Sequence, residues 1–81
     1  MWFVYILECE DSTLYTGMTN NLQKRFSSHV QGAGARYTRS HPVHRCVYAE
    51  RCASRSDALK REAQIKKLSR EEKLKFITMS G

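Results

Sequence analysis

The run WFVYILECEDSTLYTGMT, residues 2–19, decides the fold because it contains two strand-like segments separated by a short polar turn. Residues 2–9 form a continuous apolar and aromatic run of strand length. Residues 13–19 are rich in β-branched and aromatic side chains, which suit a second strand. The segment EDST between them is typical of a turn. The first twenty residues therefore predict a β-hairpin.

Two tyrosines in this hairpin, Tyr5 and Tyr15, are either core residues or the walls of a site. A two-residue turn at Asp11–Ser12 would place their rings on opposite faces, because side chains alternate along a strand. A turn with an odd number of residues, or a β-bulge, would place them on the same face. Gly17 would then lie opposite Tyr5 and leave room beside its ring. The sequence leaves both registers open.

A helix and a long loop are predicted after the hairpin. Residues 21–31 carry apolar side chains at i, i+4 and i+8, which is typical of a helix, namely Leu22, Phe26 and Val30. Thr19 or Asn20 is the expected N-cap. The next segment, QGAGARYTRSHP at residues 31–42, is interpreted as a loop because of its glycines and proline. A loop of this length favours a binding role over a plain connection.

The second half of the chain predicts one strand and two helices. Residues 45–52, RCVYAERC, are interpreted as the third strand. Ser54 or Ser56 is expected to cap a helix that ends near residue 68. Ser69, followed three residues later by Glu72, predicts the start of a last helix that ends near residue 79.

The predicted order, β-β-α-β-α-α, defines an α+β fold in which a small three-stranded, antiparallel-type sheet is flanked by helices. The 81 residues are expected to form a single domain, residues 1–81. No segment approaches the apolar length needed to span a bilayer. The N-terminal sequence MWFVYILECE has no basic leader, so we expect a cytoplasmic protein. Three cysteines, an odd number without close pairs, argue against a disulfide framework or a zinc site.

The net charge of +6 is unevenly distributed. No acidic residue lies between Asp11 and Glu50, whereas this stretch contains five Lys or Arg residues and all three histidines. A basic segment of this kind, with Tyr37 inside it, fits nucleic acid as the partner. The alternative is a solvated surface on a basic protein, and charge alone does not separate the two.

The first two predicted helices each carry titratable residues on or beside their apolar face. Glu62 falls between Ala58 and Ile65 on the helical wheel, so it should have a cation partner, a metal or a pocket open to water. Arg25 and His29 are four residues apart and share one face of the first helix. The simpler interpretations are an ion pair for Glu62 and a structural hydrogen bond for His29.

The motifs VYIL, residues 4–7, and YTG, residues 15–17, together resemble the paired signature of the GIY-YIG nuclease superfamily. GMTNNLQKRFSSH, residues 17–29, resembles the segment that carries the family's arginine and helix histidine. ALKREAQIKKL, residues 58–68, resembles the segment that carries its metal-binding glutamate. GAGARYT, residues 32–38, resembles the loop of small stand-alone bacterial members. The resemblance covers nearly the whole chain and implies a single GIY-YIG-like domain.

Two positions depart from the signature. The first motif contains Phe3-Val4-Tyr5 instead of Gly-Ile-Tyr, and the second has Thr16 instead of isoleucine. Both changes lie beside the tyrosines and leave the phenols in place. We therefore expect the chemistry of the family to be unaffected.

The resemblance implies a divalent-metal-dependent endonuclease that hydrolyses nucleic-acid phosphodiester bonds. DNA is favoured over RNA, and structure-specific cleavage in DNA repair or recombination is the expected setting. The implied catalytic residues are Tyr5, Tyr15, Arg25, His29 and Glu62. The implied nucleic-acid-binding residues are Gly17, Arg36, Tyr37, Thr38, Arg39 and Lys66. Glu62 would hold one Mg²⁺ or Mn²⁺ ion, weakly without substrate because one carboxylate supplies few ligands.

A second hypothesis is a nucleic-acid-binding module, or a nuclease subunit that is inactive without its partner protein. The complete residue set favours the enzyme, because binding alone gives no reason to turn Glu62 toward an apolar arc. A monomer or weak dimer with no membrane association is expected in either case. The enzyme hypothesis requires the five implied catalytic residues to converge on one surface, and it requires the same-face register of the hairpin.

Overall fold

Three strands form one antiparallel sheet flanked by helices. The computed structural model describes residues 1–32 and 36–80 of the chain. In chain order its elements are β1 Trp2–Cys9, β2 Leu14–Thr19, α1 Leu22–Val30, α2 Arg36–Ser40, β3 Val43–Cys52, α3 Arg55–Lys66 and α4 Arg70–Ser80. The spatial order of the strands is β2-β1-β3, so that β1 lies in the centre. The predicted α+β class and three-stranded sheet are confirmed, and the short helix α2 is an addition to the predicted order.

A three-residue loop, residues 10–12, connects β1 to β2. The Ser12 amide donates to the Cys9 carbonyl at 2.9 Å, and the Cys9 amide donates to the Thr13 carbonyl at 2.9 Å. Ser12 has a φ of +69°, the left-handed conformation that commonly closes a three-residue hairpin loop. The turn therefore has an odd number of residues, although no glycine or asparagine in it signals this conformation.

The length of the loop places the two hairpin tyrosines on the same face of the sheet. Tyr5 lies opposite Gly17, and Leu7 lies opposite Tyr15. Because residues two apart in a strand point to the same side, Tyr5, Leu7, Tyr15 and Gly17 all belong to one face. Of the two registers that the sequence leaves open, the structure has the one that the enzyme hypothesis requires.

The alternation along β1 separates an apolar face from a polar and aromatic one. Val4 and Ile6 are fully buried and pack with Ala58 and Ile65 of α3 in the main apolar cluster, which Phe76 of α4 extends. We call this side of the sheet the core face. The opposite side, which we call the site face, carries the side chains of β1 and β2 that contact α1 and α2. Helices α3 and α4 therefore cover the apolar core face, and helices α1 and α2 cover the polar and aromatic site face.

Helix α1 turns a histidine toward the sheet instead of its last apolar residue. His29 is 1% exposed, whereas Val30 is 54% exposed. The predicted apolar stripe therefore includes Leu22 and Phe26 but not Val30. The N-cap is Asn21, whose side chain accepts from the Lys24 amide at 3.1 Å, so the predicted cap at residue 19 or 20 is wrong.

The capping predictions for the last two helices are confirmed. Ser54 accepts from the Asp57 amide at 3.1 Å at the start of α3. Ser69 and Glu72 exchange reciprocal bonds at the start of α4, where the Ser69 amide donates to the Glu72 carboxylate at 2.8 Å. Over residues 1–32 and 36–80, no helix has the length and apolar character needed to cross a membrane.

The segment predicted as a loop contains a helix. Residues 36–40 form the single turn α2, so this part of the loop prediction is wrong. Residues 33–35, where the prediction depended on Gly34, lie outside the described residues. Thr38 in α2 is 2% exposed. Burial of this side chain and an aromatic stack formed by its neighbours give the segment a helical structure that its glycine content does not predict.

Candidate active site

The Tyr5 ring lies directly over Gly17 on the site face. A Cβ atom built on Gly17 would be 2.5 Å from the Tyr5 hydroxyl oxygen and 2.7 Å from Tyr5 Cζ. Real Cβ atoms do not approach other atoms this closely, so residue 17 must lack a side chain for the phenol to occupy this position. The ring of Tyr15 lies beside that of Tyr5 on the same face, with the two ring centroids 6.4 Å apart. Gly17 therefore makes space within the protein, for the Tyr5 phenol.

A buried polar chain connects β1, α1 and α2. The Tyr5 hydroxyl oxygen lies 2.9 Å from His29 Nε2, and His29 Nδ1 lies 2.7 Å from Thr38 Oγ1. All three side chains are at most 2% exposed. Both ring nitrogens of His29 thus have a protein partner, which fixes the plane of the ring. The Tyr5 phenol is held at one end of this chain.

The environment of His29 keeps its imidazole neutral. Burial, and secondarily the positive charge of Arg25, lower the pKa of His29 from 6.5 to about 4. Both effects have the same sign, because a charged imidazole loses hydration inside the protein and is repelled by a neighbouring guanidinium. At neutral pH one ring nitrogen is therefore unprotonated, and the low pKa of His29 makes it a weak proton acceptor in the free protein.

Arg25 acts on Tyr5 as well as on His29. Burial raises the pKa of the Tyr5 phenol, while a hydrogen bond and the charge of Arg25 lower it. The nearby groups Tyr15 and Glu62 raise it further by repelling a phenolate. These effects place Arg25, Tyr15 and Glu62 in the electrostatic range of the Tyr5 oxygen. Arg25 is the group that would stabilise negative charge there.

Aromatic rings continue the site face outward from Tyr15. Tyr15 contacts His29 at 5.2 Å between centroids and stacks on Tyr37 of α2 at 5.6 Å. Tyr37 stacks in turn on His41 at 4.2 Å and 17°. His41 Nδ1 lies 2.7 Å from an Asp11 carboxylate oxygen in the hairpin loop. This column of rings ties α2 to β2 and braces the loop that sets the register.

Glu62 has a cation partner, as the simpler interpretation predicts, and it also lies near the phenol. Its carboxylate is 3.6 Å from the Lys66 amine one turn further along α3, and its side chain is 17% exposed. The charge of Glu62 also acts on Tyr5, although α3 packs on the core face, opposite the Tyr5 ring. The prediction that Glu62 has a partner or a water-open pocket is therefore met by both a partner and partial exposure.

The donor set fits a cation only in part. Within the described ranges, no group of three or more His, Cys, Asp or Glu side chains is placed to hold a metal ion. Glu62 supplies one hard carboxylate oxygen donor that is partly open to water. Mg²⁺ commonly binds to one or two carboxylates and takes its other ligands from water and substrate phosphates. The site therefore fits a substrate-shared ion and does not fit a closed, all-protein metal centre.

The remaining sequence-predicted binding residues occupy different environments. Arg36 and Arg39 are exposed on α2, and Lys66 is 55% exposed beside Glu62. Thr38 does not offer its hydroxyl to the surface, because it is buried against His29. The prediction that Thr38 contacts nucleic acid directly is corrected, since its hydroxyl contacts the histidine instead.

Tyr37, which the sequence predicts to bind nucleic acid, lies between two other rings. Its ring stacks with Tyr15 and His41, so it contributes first to the column of rings. No motif in the sequence indicates a role for His41. The i, i+4 spacing of Tyr37 and His41 indicates a ring stack only in a helix, and the glycines and proline of this segment predict a loop.

Comparison with known proteins places this chain in a family. The model of the GIY-YIG catalytic domain matches residues 1–75. The UPF0213 protein of Syntrophus aciditrophicus is 55% identical over 76 residues, which cover 93% of this chain and 87% of that protein. A UPF0213 protein of Clostridium perfringens is 49% identical over 78 residues, with 96% and 84% covered.

A solved structure agrees with this assignment. The solution NMR structure of the UPF0213 protein BH0048 from Bacillus halodurans superimposes with a TM-score of 0.64 at 38% identity. The alignment covers 100% of this chain and 87% of that chain. The chain therefore belongs to the GIY-YIG catalytic domain family, which is a nuclease family. Within it, the relatives are UPF0213 proteins, a group of small stand-alone GIY-YIG proteins.

Proposed function

We propose that the chain is a divalent-metal-dependent endonuclease that hydrolyses nucleic-acid phosphodiester bonds. The observation that carries the proposal is the 2.9 Å contact between the Tyr5 hydroxyl and a neutral His29. A phenol with a neutral imidazole at hydrogen-bond distance has a group that can receive its proton, and the nearby Arg25 charge can stabilise the phenolate. The family assignment supports the same chemistry.

In the proposed reaction, Tyr5 and His29 move one proton away from the attacking water. A phenol whose pKa is raised by burial is a weak base when it acts alone. Because Tyr5 is 2% exposed in the free protein, substrate binding must first open the site face at its hydroxyl. When the exposed Tyr5 oxygen then accepts a proton from the attacking water, its own proton passes to His29 Nε2. The contact of Nδ1 with Thr38 keeps the ring in place during this transfer. The catalytic dyad is then Tyr5 and His29, and Thr38 is a positioning residue.

Arg25 is proposed to bind the scissile phosphate. A guanidinium offers a planar fork of donors that matches two non-bridging phosphate oxygens. In the described chain Arg25 has no carboxylate at ion-pair distance, so its charge is available to an anion. Phosphate bound to Arg25 would offset the positive charge that opposes protonation of His29. Binding of substrate would thereby make His29 a better proton acceptor.

Glu62 is proposed to hold one Mg²⁺ or Mn²⁺ ion together with a substrate phosphate. When bound, such an ion supplies charge stabilisation on the phosphate oxygens. Glu62 must first release Lys66, which lies at the long distance of 3.6 Å and is more than half exposed. The released amine of Lys66 would then face the substrate backbone, in the role assigned to it from the sequence.

The preferred substrate is proposed to be DNA of a particular structure, such as a branch or flap met in repair or recombination. The described domain has a total accessible surface of 5350 Å². A sequence-specific interface buries about 1,000–2,500 Å² of a protein, a large share of that surface. Recognition of shape and backbone needs fewer side chains than base readout. A cytoplasmic monomer or weak dimer, with or without a protein partner, fits this proposal.

The test is cleavage of branched, flapped, single-stranded and duplex DNA in Mg²⁺, Mn²⁺ or EDTA. We expect metal-dependent cleavage that is lost in Glu62→Gln and Arg25→Gln. The matched controls are Glu71→Gln and Arg51→Gln, which remove the same charges from exposed positions and should retain cleavage. Salt-sensitive binding with no cleavage of any of these substrates would overturn the enzyme and leave a binding module or a partner-dependent subunit.

A further inference from the structure

A second cationic groove lies outside the candidate active site, between the hairpin and the last helix. Its lining residues come from β2 and the residue before it, α2 and α4, and they are Thr13, Leu14, Tyr37, Arg70 and Lys73. We call it the α4 groove. Neither Arg70 nor Lys73 belongs to the motifs that the family resemblance covers. The groove touches the site through Tyr37, whose ring stacks on Tyr15.

The two cations of the α4 groove are not neutralised by acids. Arg70 and Lys73 are three residues apart, so they project from the same side of α4. Over residues 1–32 and 36–80, neither has a carboxylate within ion-pair distance. The Arg70 guanidinium donates to the Ser12 carbonyl, which positions it at the hairpin loop and leaves its charge uncompensated.

Two acids close in sequence to the groove residues, Asp11 and Glu72, already have partners. Asp11 accepts from the Thr13 amide and hydroxyl, at 3.1 and 2.6 Å, and also contacts His41. These bonds lower the pKa of Asp11 to about 2, so it stays ionised and engaged. Glu72 is held in the capping bonds of α4. Arg70 and Lys73 are the charged side chains that line the groove, so the lining itself is positive toward an incoming anion.

The α4 groove lies on a path that also includes a groove beside Arg25, and this sets the direction in which a bound strand would run. Another groove, lined by Thr19, Asn20, Asn21, Lys24, Arg25 and Ser28, adjoins the active site on the side of Arg25. Arg25 acts on Tyr5, Tyr5 contacts Tyr15, and Tyr15 stacks on Tyr37. The two cationic grooves are thus joined through the side chains of the active site itself. A polyanion with regularly spaced charges fits this arrangement better than a single small anion.

We propose that the α4 groove is a phosphate-binding subsite for the nucleic-acid strand whose scissile phosphate lies at Arg25 and Tyr5. The strand enters along the Lys24 side and leaves through the α4 groove, so Arg70 and Lys73 bind backbone phosphates beyond the cleaved bond. This inference rests on the proposed function, because it uses the same site as its reference point. It adds α4 to the substrate-binding surface.

The test measures binding of a fluorescent single-stranded DNA oligonucleotide by anisotropy in EDTA, over a range of salt concentrations. The variants are Arg70→Gln/Lys73→Gln and Lys73→Gln alone. Lys60→Gln/Lys75→Gln is the control, because it removes two exposed charges of the same sign from α3 and α4. We expect weaker binding for both groove variants. The slope of log K against log salt should shrink by about 0.7 for each phosphate that a variant no longer binds.

The outcomes separate the two proposals. If the groove variants bind with the affinity and salt slope of the control pair, the subsite is overturned even if the wild-type protein cleaves DNA. If they lose affinity and slope while the wild-type protein cleaves no substrate in metal, the subsite stands and the hydrolytic function falls. Lys73→Gln removes no hydrogen bond found in the described chain, so it decides the question if the Arg70 variant fails to fold.

Discussion

The core face and the site face of the sheet are built from alternating residues of the same two strands. On the core face, Val4 and Ile6 are 0% exposed and meet apolar side chains of α3. On the site face, Tyr5 is just as inaccessible at 2%, yet its partner is a histidine. Burial is thus equal on the two faces, and what differs is whether the buried groups are polar and hydrogen-bonded.

This difference separates stability from chemistry within one strand. Apolar burial on the core face stabilises the fold through area alone, which tolerates exchange among side chains of similar size. The site face buries polar groups that cost free energy unless each is paired. One side chain connects the layers, since Glu62 comes from α3 on the core side and acts on Tyr5 on the other. Substitutions matched between the faces should therefore have different consequences.

The largest contrast is expected between two tyrosine-to-phenylalanine changes. Tyr5→Phe removes the hydroxyl that contacts His29, and it should lower the cleavage rate by roughly 10²–10⁴-fold, the usual contribution of positioned proton transfer. Tyr48→Phe removes a hydroxyl on the core face that donates to Glu50. It should cost about 1 kcal/mol of stability without changing the rate per folded molecule. Single-turnover kinetics and urea unfolding of both variants make the comparison.

Equal rates for Tyr5→Phe and wild type would contradict the division between the faces. A nucleic-acid-binding assay on the same variants separates a defect in chemistry from one in affinity. Glu50 keeps its ion pair with Arg61 at 3.0 Å in the Tyr48 variant, so the core-face change should remain local.

The pH dependence of stability is the next effect in size. His29 has a pKa of about 4 in the fold and an ordinary value of 6.5, so the unfolded chain binds the proton more readily. Stability from this group is complete above pH 6.5 and falls as the pH drops from 6.5 to about 4. With about 1.4 kcal/mol for each pH unit of the difference, the loss approaches about 3 kcal/mol. Urea unfolding at several pH values measures it.

Two histidine variants show whether His29 causes this change of stability with pH. His29→Gln should remove the pH dependence between pH 4.5 and 6.5, whereas His44→Gln, at an exposed position on β3, should retain it. Acids whose pKa is lowered in the fold contribute only below their ordinary values of 3.8 for Asp11 and 4.5 for Glu72. A wild-type stability that stays flat across this window would show that His29 is not buried as a neutral base.

The sequence predicts the strands, the fold class and the last two helix caps, because these follow from local periodicity and capping chemistry. It does not predict the register, because the three-residue loop depends on a left-handed Ser12 with no glycine to signal it. It misses α2, because a single helical turn is stabilised by contacts distant in sequence. Those contacts are the ring stack of Tyr37 and the burial of Thr38.

The candidate site residues follow from the family resemblance, but their contacts do not follow from the sequence. Nothing in the sequence pairs His29 Nδ1 with Thr38, nine residues away across the segment that contains residues 33–35. Glu62 is the exception, since its place on an apolar arc predicts a partner, and Lys66 is that partner. Residue types are thus readable from motifs, whereas hydrogen-bond partners require the fold.

Gly17→Ala should have an intermediate effect and tests how the site face is packed. Alanine is intrinsically better than glycine in a strand by about 0.5–1 kcal/mol, so a small gain is expected where nothing lies over the residue. Because the new Cβ would lie 2.5 Å from the Tyr5 hydroxyl oxygen, we expect a loss of about 1–3 kcal/mol instead, with reduced cleavage. Thermal unfolding and rate measurements check both.

A double-mutant cycle with Tyr5→Phe identifies the clash. The double variant should be more stable than the sum of the two single effects predicts, but only in part, because phenylalanine removes the hydroxyl oxygen and keeps Cζ at 2.7 Å from the new Cβ. A Gly17→Ala protein as stable and active as wild type would mean that the Tyr5 ring does not lie over residue 17.

The smallest expected effect is a gain in stability, and it comes from removing an unpaired buried hydroxyl on the core face. Thr16 lies opposite Ile6, is 4% exposed, and its Oγ1 has no hydrogen-bond partner in the described chain. Thr16→Val keeps the shape, removes an unpaired buried hydroxyl, and should stabilise the fold by about 1 kcal/mol with unchanged cleavage. Thr38→Val on the site face is the matched control, because that hydroxyl is paired with His29 and its loss should lower stability and cleavage. Thermal melts of the two variants should therefore shift in opposite directions, and a shift in the same direction would mean that the two faces do not differ in how they satisfy buried hydroxyls.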